Sequence, residues 1–315
     1  MFIANYRNLN RFVQAIIIIM KSAFFFIILV PIFILSTGCL KKSPQRKNDS
    51  DKAIQSLSNK GSDTMVNLAL AWAEEYQRLN PKINISVTGG GTGTGIAALV
   101  NATVDIANAS REIKSEEKAD AMANGVDPLE FIVAKDAIAI IVHPSNPVIE
   151  LTLQQISDIY SGKINSWNEI GGENRPIVRL SRETNSGTHV YFLEQVLRLG
   201  EKDNKTMFSP DTLLLPSSQG ITTEVSDNPN AIGYDGLGYV TRAVKMVAVA
   251  NSDSNSYILP SSATVNDGTY PIARELYMYT DGQPEGIIQD YIIWLFSPGA
   301  QEIVDNMGFV PILSQ

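Results

Sequence analysis

GSDTMVNLALAWAEEYQRLNPKINISVTGGGTGTGIAAL, residues 61–99, carries a helix, a strand and a second helix start in one short span. Met65, Leu68, Trp72, Tyr76 and Leu79 recur at helical spacing, which predicts a helix over Thr64–Leu79. Pro81 stops that helix. Ile83, Ile85 and Val87 then alternate over Lys82–Thr88 as one face of a half-buried strand. The glycine-rich run Gly89–Gly95 follows and opens the helical segment Ile96–Asn101. Further along, Ala137–Val142 (AIAIIV) reads as a continuous apolar strand. Leu153–Ser161 reads as a helix with Thr152 and Gln155 in capping-box positions and Gly162 beyond it. Thr188–Leu199 and Pro284–Phe296 read as helices, the DYIIWLF stretch of the latter as largely buried. Strands alternating with helices predict an α/β fold.

The chain has 315 residues and a formal net charge of −8, which allows a sizeable core and about two domains. A single cysteine excludes an intramolecular disulfide framework and a multi-cysteine metal cluster. Charge is uneven. Residues 1–60 hold nine of the 25 basic residues and two of the 33 acidic ones, Asp49 and Asp51, so residues 61–315 carry a net −15. That balance argues against nucleic acid, whose backbone needs clustered Lys and Arg. Any anion bound by so acidic a domain must be held by local donors.

Ala23–Leu35 (AFFFIILVPIFIL) is apolar throughout, preceded by Lys21 and followed by Ser36-Thr37-Gly38-Cys39. A basic start, a short apolar stretch and small residues compose a secretory signal over residues 1–38, with Met20 as an alternative start. An uncleaved span over Phe12–Leu35 is the competing reading, with Lys21 against it. Either way the folded part lies outside the cytoplasm. Residues 39–60 are polar and lysine-rich and read as a flexible tether.

Three turns share a pattern. Gly61-Ser62-Asp63-Thr64 opens the first helix, the Gly89–Gly95 run opens the second, and Arg182-Glu183-Thr184-Asn185-Ser186-Gly187-Thr188 opens another after the strand-like Ile177–Leu180. Helix starts offer unpaired N–H groups, hydroxyl donors and the positive end of a dipole. Glycine lets the backbone approach a ligand closely. One such turn is an ordinary N-cap. Three, one beside an arginine, point to a site for an oxyanion held by short-range hydrogen bonds.

Other chemistries find no support. The glycine run is neither a dinucleotide fingerprint nor a P-loop. Asn185-Ser186-Gly187 is not a nucleophile elbow, and no metal-ligand spacing occurs. His189 reads as a surface or supporting residue and His143 as a loop histidine. No catalytic residue and no cofactor is expected.

Seven segments together resemble the extracytoplasmic phosphate-binding proteins of phosphate ABC transporters. They are GSDTMVNLALAWAEEY (61–76), SVTGGGTGTGIAAL (86–99), VDIANASRE (104–112), LTLQQISDIYSGKINSWNEIGG (151–172), RETNSGT (182–188), AIGYDGLGYV (231–240) and YPIARELYMY (270–279). The resemblance implies a two-lobe periplasmic-binding-protein fold of type II with mixed sheets, a two-strand hinge and a ligand cleft between the lobes. It implies chain crossings near Val142–Pro147 and Tyr234–Tyr239, with 61–142 and 240–315 forming lobe 1 and 143–239 lobe 2. Cys39 just after the apolar run resembles the lipidated cysteine of a lipoprotein signal, with Leu35 one place earlier than usual.

Carried over by position, the phosphate contacts would be Ser62, Asp63, Thr64, Thr92, Ser110, Arg111, Arg182, Ser186, Gly187 and Thr188. Some members carry an aspartate where Ser110 and Arg111 stand, to accept the proton of hydrogen phosphate, and some pair the arginine with an acid where Thr184 stands. Asp63 could supply that acceptor, or be a plain N-cap. The implied function is capture of inorganic phosphate for an ABC permease by a monomeric, membrane-anchored lipoprotein that catalyses nothing. A receptor for sulfate, molybdate or an organophosphate, a phosphate-sensing lipoprotein, and a phosphohydrolase are the competing readings.

Overall fold

The computed structural model describes residues 54–252 and 256–312. The signal segment, Cys39 and most of the expected tether lie outside the described residues. The described residues begin with strand β1 (Gln55–Gly61), then α1 (Val66–Leu79), β2 (Ile83–Thr88), α2 (Thr92–Val100), β3 (Ile106–Ala109) and α3 (Ser115–Ala123). The long β4 (Pro128–Val142) leads to β5 (Glu150–Thr152), α4 (Leu153–Tyr160) and β6 (Val178–Arg182). Next come α5 (Gly187–Tyr191) with a π-helical continuation over Phe192–Leu197, β7 (Leu213–Leu215), α6 (Ser218–Asp227) and β8 (Ala231–Gly236). The chain closes with β9 (Lys245–Ala250), α7 (Ser262–Asn266), β10 (Ala273–Asp281), α8 (Gly286–Leu295) and α9 (Pro298–Asn306).

The strands run β2-β1-β3-β10-β4-β8-β6-β7, with β9 also pairing β4 and β5. Parallel pairs (β1 with β2 and β3) and antiparallel pairs (β10 with β3 and β4) make this a mixed sheet. Strand β4 serves two halves. Pro128–Ala137 pairs β10, whereas Ile138–Val142 pairs β8. The first half packs Leu57, Trp72, Ile85, Leu276 and Tyr291 on one face and Leu99, Ala107 and Tyr279 on the other. In the second half, Ile138, Ile140 and Val142 face one core and Ala139 and Ile141 another. Cover on both faces explains why AIAIIV is apolar at every position.

The architecture is the α/β two-lobe fold with mixed sheets. Three particulars differ from expectation. Residues 55–60 are not tether but strand, although Leu57 is their only large apolar side chain. Pairing with β2 and β3 on either side makes up for the missing apolar pattern. Residues 245–272 do not join the first lobe: Val247, Val249, Tyr270 and Ile272 lie in the same core as Ile140. Strand β4 changes its pairing partner from β10 to β8 at Ala137–Ile138, and Ala137 and Ala273 both pack with the second core, so β4 is shared by both halves before Val142–Pro147 is reached. The segment Leu237–Tyr239 only touches the first core, through Tyr239, before β9 returns to the second. Finally, DYIIWLF is half-buried, since Tyr291, Ile292 and Leu295 face inward while Ile293 and Phe296 are exposed. Among the described residues, no helix is long and apolar enough to cross a membrane.

Candidate functional site

Each of the three turns sits at the carboxyl end of a strand: β1 before Ser62, β2 before Gly89 and β6 before Glu183. Strands of both halves aim these ends at one another, as open α/β sheets do with ligands. Gly91, at φ 97°, adopts a backbone that side chains rarely tolerate, and a Cβ there would stand 2.9 Å from the Asn185 carbonyl oxygen. That glycine lets the second and third turns meet. Gly93 N–H donates to the Asn185 carbonyl at 3.1 Å, and the Asn185 amide donates to the Gly90 carbonyl at 2.9 Å.

The hydroxyls of the expected residues converge across the lobes. Thr64 Oγ1 and Thr188 Oγ1 are 2.7 Å apart. Thr92 Oγ1 accepts from Ser110 N–H at 3.0 Å and lies 3.3 Å from Ser110 Oγ. Gly187 opens α5 directly against this pair, and the Thr188 N–H donates to the Ser186 hydroxyl that caps the helix. Ser62, Thr64, Thr92, Ser110, Ser186 and Thr188 are all buried. Ser62 Oγ has no hydrogen-bond partner. Buried polar groups are nearly always paired, so this hydroxyl keeps an unused hydrogen-bonding position where three helix starts converge.

Arg182, 1% exposed, adjoins this cluster through Asp63 of the first turn. It donates to Ser218 Oγ at 2.6 Å, to the Pro216 carbonyl at 3.0 Å and to Asp63 Oδ2 at 3.1 Å, while its Nε has no partner. Asp63 Oδ2 also accepts from the Ser218 N–H at 2.9 Å. Asp63 thus does for Arg182 what Thr184 cannot, from the opposite lobe. It is the partner of the arginine rather than a plain helix cap.

Arg111 stands apart. Its guanidinium forks onto both oxygens of Glu117 at 2.7 and 2.8 Å and donates to the Glu112 carbonyl. It lines a separate cavity of about 790 Å³ with Tyr191, Arg274 and Tyr277. The acid six residues on was the legible signal for this pairing. His189 is buried, not on the surface: burial pushes its imidazole down from the usual value, it stacks on Phe208, and its Nδ1 lies 3.1 Å from Ser181 Oγ.

Sequence reasoning missed four supporting groups. Ser218 opens α6 and meets both Arg182 and Asp63. Arg274 and Asp136 form a fully buried ion pair at 2.8 Å beside the crossover, and Arg274 also donates to the Ser110 carbonyl. Burial pushes the Asp136 carboxyl up, with Arg274 opposing. Asp235, at the end of β8, is wholly buried. Its Oδ1 accepts from Gly236 N–H, its Oδ2 has no partner, and burial pushes the carboxyl up to about 7. A charge inside the motif AIGYDGLGYV was the only hint of Asp235.

Residues 47–298 match the model of a PBP superfamily domain. The chain is 34% identical to the phosphate-binding protein PstS of Pseudomonas aeruginosa, over 81% of this chain and 83% of that one. It is 29% identical to PstS of Bacillus subtilis, over 91% and 92%. Its structure superposes with a TM-score of 0.73 on a Clostridium perfringens protein described as a phosphate ABC transporter substrate-binding protein with bound phosphate, at 31% identity over 82% of this chain and 100% of that one. An ABC-type phosphate transport receptor from Vibrio cholerae gives 0.65 at 27% identity, over 81% and 100%. The chain therefore belongs to the PBP superfamily and, within it, to the family of the phosphate-binding proteins PstS.

Proposed function

We propose that this chain is the substrate-binding protein of a phosphate ABC transporter, taking up inorganic phosphate between its lobes and passing it to the permease subunits without reacting with it. The observation that carries this reading is the meeting of three helix starts and six buried hydroxyls, joined to Arg182 through Asp63, with Ser62 Oγ and Arg182 Nε left without protein partners. Ser62, Asp63, Thr64, Thr92, Ser110, Arg182, Ser186, Gly187 and Thr188 form the site; Arg111 lies outside it, tied to Glu117. Arg182 is balanced by Asp63, so the anion is held mainly by neutral donors, which suits a domain of net −15.

The apolar run before Cys39 supports an extracytoplasmic lipoprotein, with lipid on Cys39 and the residues up to β1 as its tether. One chain supplies every donor of the site, which fits a monomer. Titration calorimetry with inorganic phosphate tests the reading. Wild type binds phosphate in preference to sulfate, and Arg182→Ala loses at least ~2 kcal/mol, about thirtyfold in Kd. No heat with phosphate, or tighter binding of sulfate or molybdate, refutes it.

A further inference from the structure

We propose that the end of the first lobe opposite the anion cluster is a membrane-resting face, which lays Leu79, Ile293, Trp294 and Phe296 on the lipid surface that anchors the chain. The inference goes beyond phosphate capture and rests only on the N-terminal anchor of the reading above. Strand β1 joins the two ends of this lobe. Ser62 follows its carboxyl end and Ile54 precedes its amino end, about 23 Å away. At that amino end α1 turns into β2: Asn80 ends the helix and accepts from the Ile83 N–H, and the Gln55 N–H donates to the Lys82 carbonyl.

Helix α8 crosses the same end. Pro284 and Ile288 share a cavity wall with Val104 and Asp105, just ahead of β3, while Tyr291 and Trp294 meet the Tyr76 ring near the end of α1 at 5.0 and 5.1 Å. Its inward residues Tyr291, Ile292 and Leu295 fill the first core, so the face with Ile293 and Phe296 points outward. Large apolar side chains are exposed here together: Ile54 by 71%, Leu79 by 49%, Ile293 by 64% and Phe296 by 46%, with Ile83 and Trp294 half-buried. A lone exposed apolar residue is ordinary, whereas a group of them at one end of a lobe marks a contact surface.

Where the chain enters this face says what covers it. Fourteen residues, 40–53, separate Cys39 from Ile54, a reach of about 50 Å when fully extended. They hold five basic and two acidic residues, which suits anionic headgroups, whereas the net −15 of residues 61–315 is repelled by them. Arg78, tied to Glu75, and Lys82 are countered by Asp290, so the apolar side chains carry the contact. A tryptophan flanked by aliphatic groups has the composition of a bilayer interface. The short tether holds the face at high local concentration, so a contact too weak for a free protein is populated. In that posture the anion cluster, at the other end of β1, points away from the lipid.

The test is tryptophan fluorescence of the purified full chain in vesicles of phosphatidylcholine brominated in its acyl chains, against unbrominated vesicles. Bromine quenches only a tryptophan that reaches the hydrocarbon boundary. Trp72 and Trp167 are buried and residues 1–53 hold no tryptophan, so the readout belongs to Trp294. Brominated lipid lowers the emission by roughly a fifth or more, one tryptophan of three being in contact, and Trp294→Phe removes the effect. Leu79→Glu combined with Ile293→Glu also removes it, and leaves thermal unfolding and calorimetric phosphate binding as in wild type. A chain that floats with the vesicles but is not quenched overturns the face, as does quenching that survives in either variant. A soluble dimer that the double variant dissociates, with no quenching in wild type, gives the face to a second copy and overturns it too. A chain that does not float removes the anchor and this face together. Wild type that is quenched yet binds no phosphate strikes the transport reading and leaves the face standing.

Discussion

Gly187→Ala adds one methyl group where the two lobes meet. An ideal Cβ at 187 lies 2.4 Å from Thr92 Oγ1 and 2.5 Å from Ser110 Oγ, about 1 Å inside an ordinary contact of roughly 3.5 Å. Thr92 and Ser110 belong to one lobe and Gly187 to the other, so the overlap is relieved by parting the lobes. A separation of about 1 Å stretches the Thr64–Thr188 contact from 2.7 Å out of hydrogen-bonding range, and the Gly93–Asn185 bond likewise from 3.1 Å. A ligand that then loses two charge-assisted bonds of roughly 1.5 kcal/mol each binds about a hundredfold more weakly. Alanine in the first turn of α5 is favoured over glycine by up to about 1 kcal/mol, so thermal stability without phosphate is unchanged or raised. Calorimetry with phosphate, paired with thermal unfolding, separates the two effects. A variant that binds phosphate within about threefold of wild type refutes the idea that this glycine is required for lobe contact.

Two further predictions concern stability. Asp136→Asn leaves Arg274 buried without its countercharge, and unfolding in denaturant should show a loss of about 3–5 kcal/mol. A loss below 1 kcal/mol would mean that Arg274 finds another partner. His189 is buried in the neutral form, so its proton affinity is lower folded than unfolded. The unfolded chain then binds more protons in acid, and stability falls as pH drops through the unfolded value of about 6.5. His189→Phe, which keeps a ring against Phe208, should lose less melting temperature on acidification than wild type; parallel curves would refute the linkage.

Local pattern and long-range pairing were unequally legible in the sequence. The helix over Leu68–Tyr76 and the buried strand Ala137–Val142 were readable because burial on one or both faces imposes an apolar period. The turns holding Thr92, Arg182 and Gly187 were readable because glycine, hydroxyl residues and an arginine gather at helix starts in the local sequence. Strand β1 was not, because pairing on both edges replaces the apolar pattern that would have announced it. Nor was the return of residues 245–272 to the second core, since Val247 and Val249 would suit either lobe. The link from Asp63 to Arg182 spans 119 positions, and no local rule connects them. Asp235 escaped notice for a related reason: a lone acid in an apolar strand acquires meaning only from what surrounds it.

The strand order also governs how this chain can reach its folded state. Strand β10, built from residues 273–281, lies between β3 and β4 and, among the described residues, is what joins them in the sheet. Until it has been synthesised, the first lobe has a gap in the middle of its sheet and cannot close its core. The second lobe waits for β9 and for Tyr270 and Ile272. Pairings this distant in sequence make for slow folding. The emerging polypeptide thus lacks both finished lobes until its last fifth has been made. Truncation just before residue 273 should yield a chain that stays open and protease-sensitive instead of a one-lobe fragment.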